Sequence, residues 1–155
     1  PKTKFIFVGE IDKSNHSSID NKYFSKFIND NIIEYMGKVD DVRNFIKNCS
    51  CVILPSYREG LSKSLLESLA LGRPIITTNV SGCKEIVKDN FNGFLCFPKN
   101  INDLSNKIRK FINLDYKDKF IFSLNTKKLV KNFDVQIILK SYQEEINKIN
   151  DKERL

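Results

Sequence analysis

The sequence predicts an α/β protein built on a parallel sheet with helices on both faces. Two observations carry this. Short apolar segments at 4–8, 32–36, 51–54, 74–77 and 93–96 alternate with helical patterns near 20–30, 41–48, 62–71 and 82–88, which is a βα repeat. Between Cys51 and Thr78 a strand, a helix and a strand follow so closely that they form a βαβ unit with parallel strands. Helices near 101–113, 116–131 and 135–150 close the chain.

Cys51-Val-Ile-Leu54 is an apolar run closed by Pro55, which reads as a buried strand. Gly60 permits a tight turn. Leu65, Leu66, Leu69 and Ala70 recur at helical spacing, and Gly72 then Pro74 end that helix as a C′ glycine and a breaker. Ile75-Ile-Thr-Thr78 is the next strand. Ile101, Leu104, Ile108, Phe111 and Ile112 form one apolar stripe. Val135, Ile138, Leu139, Tyr142, Ile146 and Ile149 form another, after an Asp134 cap. Both stripes read as core faces, and part of the last one is expected to stay uncovered within this chain. The closing Asp-Lys-Glu-Arg-Leu is expected to fray.

At 155 residues, 41% of them hydrophobic, the chain is one domain by size and buries a real core. No run of about 18 apolar residues occurs, so no helix spans a membrane. No metal-ligand spacing is visible: Cys49-Ser-Cys51 is too tight for a zinc pair, and the lone His16, expected at the surface, is far away in sequence. Cys49, Cys51, Cys83 and Cys96 read as buried free thiols, which suits a reducing cytoplasm. The net charge is +7, from 26 basic and 19 acidic residues. A diphosphate ligand, an anionic inner leaflet and nucleic acid all favour such a balance. Nucleic acid is set aside, because the lysines and arginines are scattered and no nucleic-acid motif occurs. A lysine-rich surface also serves solubility alone.

The stretch from Val52 to Thr78 carries the chemistry. Ligands of parallel sheets sit outside the carboxyl ends of the strands, where Glu59 lies. The N–H groups of Gly60, Leu61 and Ser62 stand at a helix N-terminus, which favours phosphate. Glu67 lies about 7–8 Å further along that helix. One site of this kind holds a diphosphate on backbone amides and sugar or ribose hydroxyls on carboxylates, as a nucleotide sugar requires. Two plainer readings stand beside it. Ser64-Leu-Leu-Glu67 matches a capping box, and Glu59 also fits a solvated loop acid.

The block closely resembles the group 1 (family 4) retaining glycosyltransferases of the GT-B fold. Their signature is a strand ending in Pro-Ser, a Glu, seven residues, a second Glu, then Gly-x-Pro. Here these are Pro55-Ser56, Glu59, Glu67 and Gly72-Arg73-Pro74. Phe7-Val-Gly-Glu10 and Tyr35-Met-Gly-Lys-Val39 look like the family's two glycine loops. Ser81-Gly82-Cys-Lys-Glu85-Ile-Val resembles its next turn and short helix, and Asn92-Gly-Phe-Leu95 the next strand entry. The match runs from Phe5 to Phe111. Ser62 stands where a proline is common and Ser68 where an alanine is common.

The resemblance implies a Rossmann-like sheet forming the C-terminal half of a GT-B fold. It further implies a hexosyltransferase that moves a sugar from a nucleotide sugar, UDP-hexose or UDP-N-acetylhexosamine, to a growing bacterial surface glycan on a lipid carrier. Glu59 then hydrogen-bonds a sugar hydroxyl near the transferring carbon. Glu67 takes the ribose hydroxyls, and the amides of Gly60, Leu61 and Ser62 take sugar and phosphate oxygens. Gly37, Lys38 and Val39 line the base, and Gly9 borders the diphosphate. Arg58 flanks the first acid and either orients it or faces solvent. No cofactor, metal or nucleic acid is implied. The acceptor, a glycan or polyprenyl-diphosphate-linked chain, belongs to a preceding domain. The opening at Pro1, with no initiator Met, reads as that of an excised donor-binding domain spanning 1–155, inactive in isolation. The place implied is the cytoplasm, at the inner face of the membrane, with peripheral contact to anionic lipid. Two alternatives stay open: a nucleotide-sugar-binding module without catalysis, and a UDP-GlcNAc epimerase-like GT-B protein. A dinucleotide dehydrogenase is disfavoured, since no G-x-G-x-x-G follows the first strand.

Overall fold

The computed structural model describes residues 3–11 and 19–152; His16 lies outside the described residues. The chain forms two compact units, one up to Asn44 and one from Phe45 onward.

In the first unit, β1 (Phe5–Phe7) and β2 (Ile33–Tyr35) pair in parallel, with α1 (Asn21–Asn29) between them in sequence. α1 begins where the Asp20 carboxylate accepts from Lys22 N–H at 2.7 Å, an N-cap of the usual kind. Phe24 of this helix is buried, its ring edge-on to Tyr35 at 5.0 Å and to Phe7 at 6.0 Å. Phe24 is the buried member of that aromatic trio, with Tyr35 partly buried and Phe7 exposed.

α2 (Arg43–Asn48) carries the boundary between the units. The second unit then sets β3 (Val52–Leu54) and β5 (Gly93–Cys96) on either side of β4 (Ile75–Thr78), all parallel. Every β4 residue is buried, as a central parallel strand requires. Successive strand side chains alternate faces, and here Ile75 and Ile76 serve two cores. Ile75 packs with Leu65 and Leu69 of α3 (Lys63–Ala70), with Cys83 and Ile86 of α4 (Ser81–Ile86), and with Leu129. Ile76 packs with Phe94, with Phe111 of α5 (Ile101–Asn113) and with Phe122 of α6 (Tyr116–Leu129). Helices therefore cover both faces of this sheet. Asn92 is wholly buried and holds the turn into β5, accepting from Lys88 N–H at 2.8 Å and donating to the Ile86 carbonyl at 3.2 Å.

The expected strands and helices all form, and the α/β class with parallel strands and flanking helices holds. Three details differ from expectation. The ladders make a two-stranded and a three-stranded sheet, each internally parallel. The helix expected over 116–131 ends at Leu129, where Val130–Phe133 tightens into a 3₁₀ turn. The apolar stripe of α7 (Val135–Lys152) is not a core face: Val135, Leu139, Tyr142, Ile146 and Ile149 are 51–66% exposed, because none of the described residues covers them.

Candidate functional site

The loop from Pro55 to Leu61 leaves the carboxyl end of β3 and delivers the chain to α3. Glu59 is half-buried on it. Arg58 is exposed, and among the described residues no salt bridge joins it to Glu59. Ser62 is the N-cap of α3, buried, with φ −67° and ψ 122°. That φ is the value a proline ring imposes, which explains why this position tolerates either residue. The serine, unlike proline, retains an N–H. Among the described residues, the N–H groups of Gly60, Leu61 and Ser62 find no acceptor in the chain. Ser62 N–H is one of the orphan donors of the helix start, and those of Gly60 and Leu61 belong to the two residues before it, near the positive end of the helix dipole.

Glu67 is the fifth residue of α3 counted from that cap, about 7.5 Å along the axis. A capping box needs its acid at the third position, which is Leu65, so the capping reading of Ser64 and Glu67 fails on geometry. The Glu67 side chain is 25% exposed, and among the described residues its salt-bridge partner is Lys63 at 4.0 Å. Ser68, the other departure, is buried and donates to the Ser64 carbonyl at 2.6 Å, so its hydroxyl is satisfied within the helix. α3 ends as the sequence predicts. Gly72, at φ +66°, donates to Leu69 O at 3.1 Å and Arg73 N–H donates to Ser68 O at 2.9 Å, the double bond pattern of a Schellman cap.

Gly60 does not act as expected. Its φ is outside the left-handed region and a Cβ built on it meets nothing within 4 Å. The tight spot is its neighbour Gly82, at the start of α4, which sequence reading passed over as part of a turn.

In the first unit the two glycine loops are joined. Gly9 N–H donates to Gly37 O at 2.9 Å and the Tyr35 hydroxyl donates to Gly9 O at 2.9 Å. Gly9 has φ +142° and Gly37 φ +67°, and side-chain space beside both is open. Lys38 pairs with Glu10 at 3.1 Å, both largely exposed, and Val39 is half-buried.

Cys83 and Cys96 are buried as expected, whereas Cys49 and Cys51 are partly buried, Cys51 against the Ile76 core; all four are free. Burial pushes the thiols of Cys49, Cys51 and Cys96 up, so none is a ready nucleophile. Among the described residues no group of three His, Cys, Asp or Glu side chains is placed to hold a metal ion, and no helix is long and apolar enough to cross a membrane.

Residues 1–133 match the family model described as glycosyl transferases group 1. A Campylobacter jejuni N,N'-diacetylbacillosaminyl-diphospho-undecaprenol alpha-1,3-N-acetylgalactosaminyltransferase is 30% identical over 141 residues, covering 91% of this chain and 36% of that protein. The Staphylococcus aureus capsular polysaccharide biosynthesis glycosyltransferase CapM is 30% identical over 136 residues, covering 87% of this chain and 35% of its own length. The chain thus spans about a third of the length of these two relatives. The crystal structure of Anabaena Alr3699/HepE in complex with UDP superposes with a TM-score of 0.82 at 22% identity, covering 96% of this chain and 42% of that one. With the ordered motifs of the acid loop, α3 and β4 in place, the chain belongs to the group 1 glycosyl transferases.

Proposed function

We propose that this chain is the donor-binding part of a retaining glycosyltransferase that passes a hexose or N-acetylhexosamine from a UDP-sugar to a lipid-linked surface glycan. One observation carries the reading. Three backbone N–H groups, Gly60 to Ser62, stand without acceptors at the head of α3, flanked by the half-buried Glu59 and Glu67. Backbone donors at a helix start suit the diphosphate, and carboxylates suit the hydroxyls on either side of it. Glu59 takes a sugar hydroxyl near the transferring carbon, and Glu67 takes the ribose. The glycine loops at Gly9 and at Gly37, Lys38 and Val39 keep the diphosphate and base roles that the resemblance implies. UDP in the Anabaena structure and undecaprenol-linked acceptors among the relatives support the donor and acceptor classes. The +7 charge supports docking on the anionic cytoplasmic face of a membrane.

Isothermal titration of this chain with UDP, GDP and ADP is the test. UDP is expected to bind most tightly. Absence of heat with all three nucleotides up to millimolar concentration would remove the donor site.

A further inference from the structure

The loop that carries Glu59 is poorly held by its own residues. Its backbone bonds within the stretch amount to Ser56 N–H donating back to Leu54 O at 3.0 Å. Its position comes from outside. At its start, the hydroxyl of Thr78, the last residue of β4, donates to the Ser56 carbonyl. One residue earlier, Thr77 donates to Leu54 O at 2.7 Å. At its end, Gly82 N–H donates to the Glu59 carbonyl at 3.3 Å. There the backbones nearly touch: a Cβ on Gly82 would lie 1.8 Å from Gly60 O, 2.4 Å from Gly60 C and 2.5 Å from Glu59 O. Those atoms are backbone, so the clash is relieved only by moving one segment. α4 cannot retreat, since Cys83, Ile86 and Val87 are fully buried against Leu65, Leu69 and Ile75. The loop is the part that moves.

We infer that Thr78 and Gly82 are positioning residues, which hold the Glu59 loop from both ends and set the height of Glu59 and of the Gly60–Ser62 amides above the sheet. The inference rests on the donor-site reading for its consequence, but its structural content stands apart from any ligand. Gly82 is a glycine because the loop occupies the place of its side chain. Thr78 carries a hydroxyl because the Ser56 carbonyl, near the start of the loop and partly buried, takes its hydrogen bond from there.

The test uses Gly82→Ala, Thr78→Val and Thr78→Ser in the full chain. Two readouts are taken: the 1H–15N amide signals of Glu59 to Ser62 without ligand, and the affinity for UDP. Thr78→Val keeps the shape and removes the donor, so it is expected to shift the loop amides and to weaken UDP binding about 3- to 10-fold, the effect of one lost hydrogen bond. Gly82→Ala is expected to do the same more strongly. Thr78→Ser keeps the donor and is expected to restore both readouts to near wild type, which a packing role for the threonine methyl would not allow. Should Gly82→Ala fail to fold, the valine and serine pair decides. Unshifted loop amides in Thr78→Val, or equal damage in Thr78→Ser, would overturn the inference. A wild-type chain that binds no UDP would overturn the donor reading, and the amide shifts would still decide the positioning.

Discussion

Replacing Glu67 by alanine separates ligand binding from folding. Among the described residues its carboxylate pairs with Lys63 at 4.0 Å, whose side chain is 91% exposed. An exposed pair at this spacing is worth about 0.3–0.5 kcal/mol, and lysine before glutamate is the weaker order. Alanine offsets part of that loss, being the better helix former by a few tenths of a kcal/mol. Folding stability should therefore change by less than about 0.5 kcal/mol, a Tm shift of about 1–2 °C for a chain of this size. A carboxylate that accepts ribose hydroxyls contributes far more to binding, about 1.5–3 kcal/mol, or about 10- to 150-fold in Kd. Thermal melting and UDP titration of the same preparation read the two effects. Unchanged UDP affinity with a normal Tm would refute the ribose role. A Tm loss above about 5 °C would show that Glu67 holds the helix instead.

Gly72→Ala places a side chain at φ +66° with its Cβ 2.6 Å from Lys127 Cε. The lysine end can swing away, so the left-handed backbone dominates, costing about 1–2 kcal/mol and lowering Tm by about 2–8 °C; an unchanged melt would refute the cap. Burial raises the thiols of Cys49, Cys51 and Cys96. Their stabilisation is complete below the unfolded thiol value of about 8.5 and is lost as pH rises above it, because the unfolded chain then releases protons that the folded one retains. The urea midpoint should accordingly fall between pH 7 and pH 9.5, and less in a Cys51→Ala variant. Incubated with a labelled UDP-sugar and a polyprenyl-diphosphate acceptor, this chain alone is expected to transfer no sugar, since orientation and water exclusion need closure against a second domain. Turnover comparable to that of a complete relative would contradict the two-part mechanism.

Much of this was legible in the residues. The Leu65, Leu69 and Gly72 spacing located α3 and its cap, because helical period and a left-handed glycine are local properties. The alternation of Ile75 and Ile76 between two cores follows from the same local logic, although only the packing shows which helices each one meets. What escaped was non-local. Gly60 looked like the turn glycine, yet the glycine that the turn demands is Gly82, more than twenty residues on, and only the approach of α4 to the loop reveals it. Thr77 and Thr78 are legible as strand residues, but that their hydroxyls donate to carbonyls of the preceding strand and loop is not. The α7 stripe has a helical period like that of α5, but periodicity states that a face is apolar and not what covers it.

The two acids are therefore placed by different physical means. Glu67 is carried by a helix held by its own residues, with a Schellman turn at Gly72 and the buried side chains of Leu65 and Leu69. Its position is a property of some ten consecutive residues. Glu59 sits on a loop whose place depends on β4 and α4, elements that follow it in sequence. Local unfolding begins where backbone bonds are few and exposed, so the loop should open at lower cost than the helix. A ligand that spans both carboxylates then orders the loop against an already fixed helix. Substitutions in β4 and α4 should reach the Glu59 end of the site while leaving the Glu67 end intact. The helix-borne acid suits a role in holding the donor, and the loop-borne acid suits the reacting end, where small adjustments accompany the change from substrate to product.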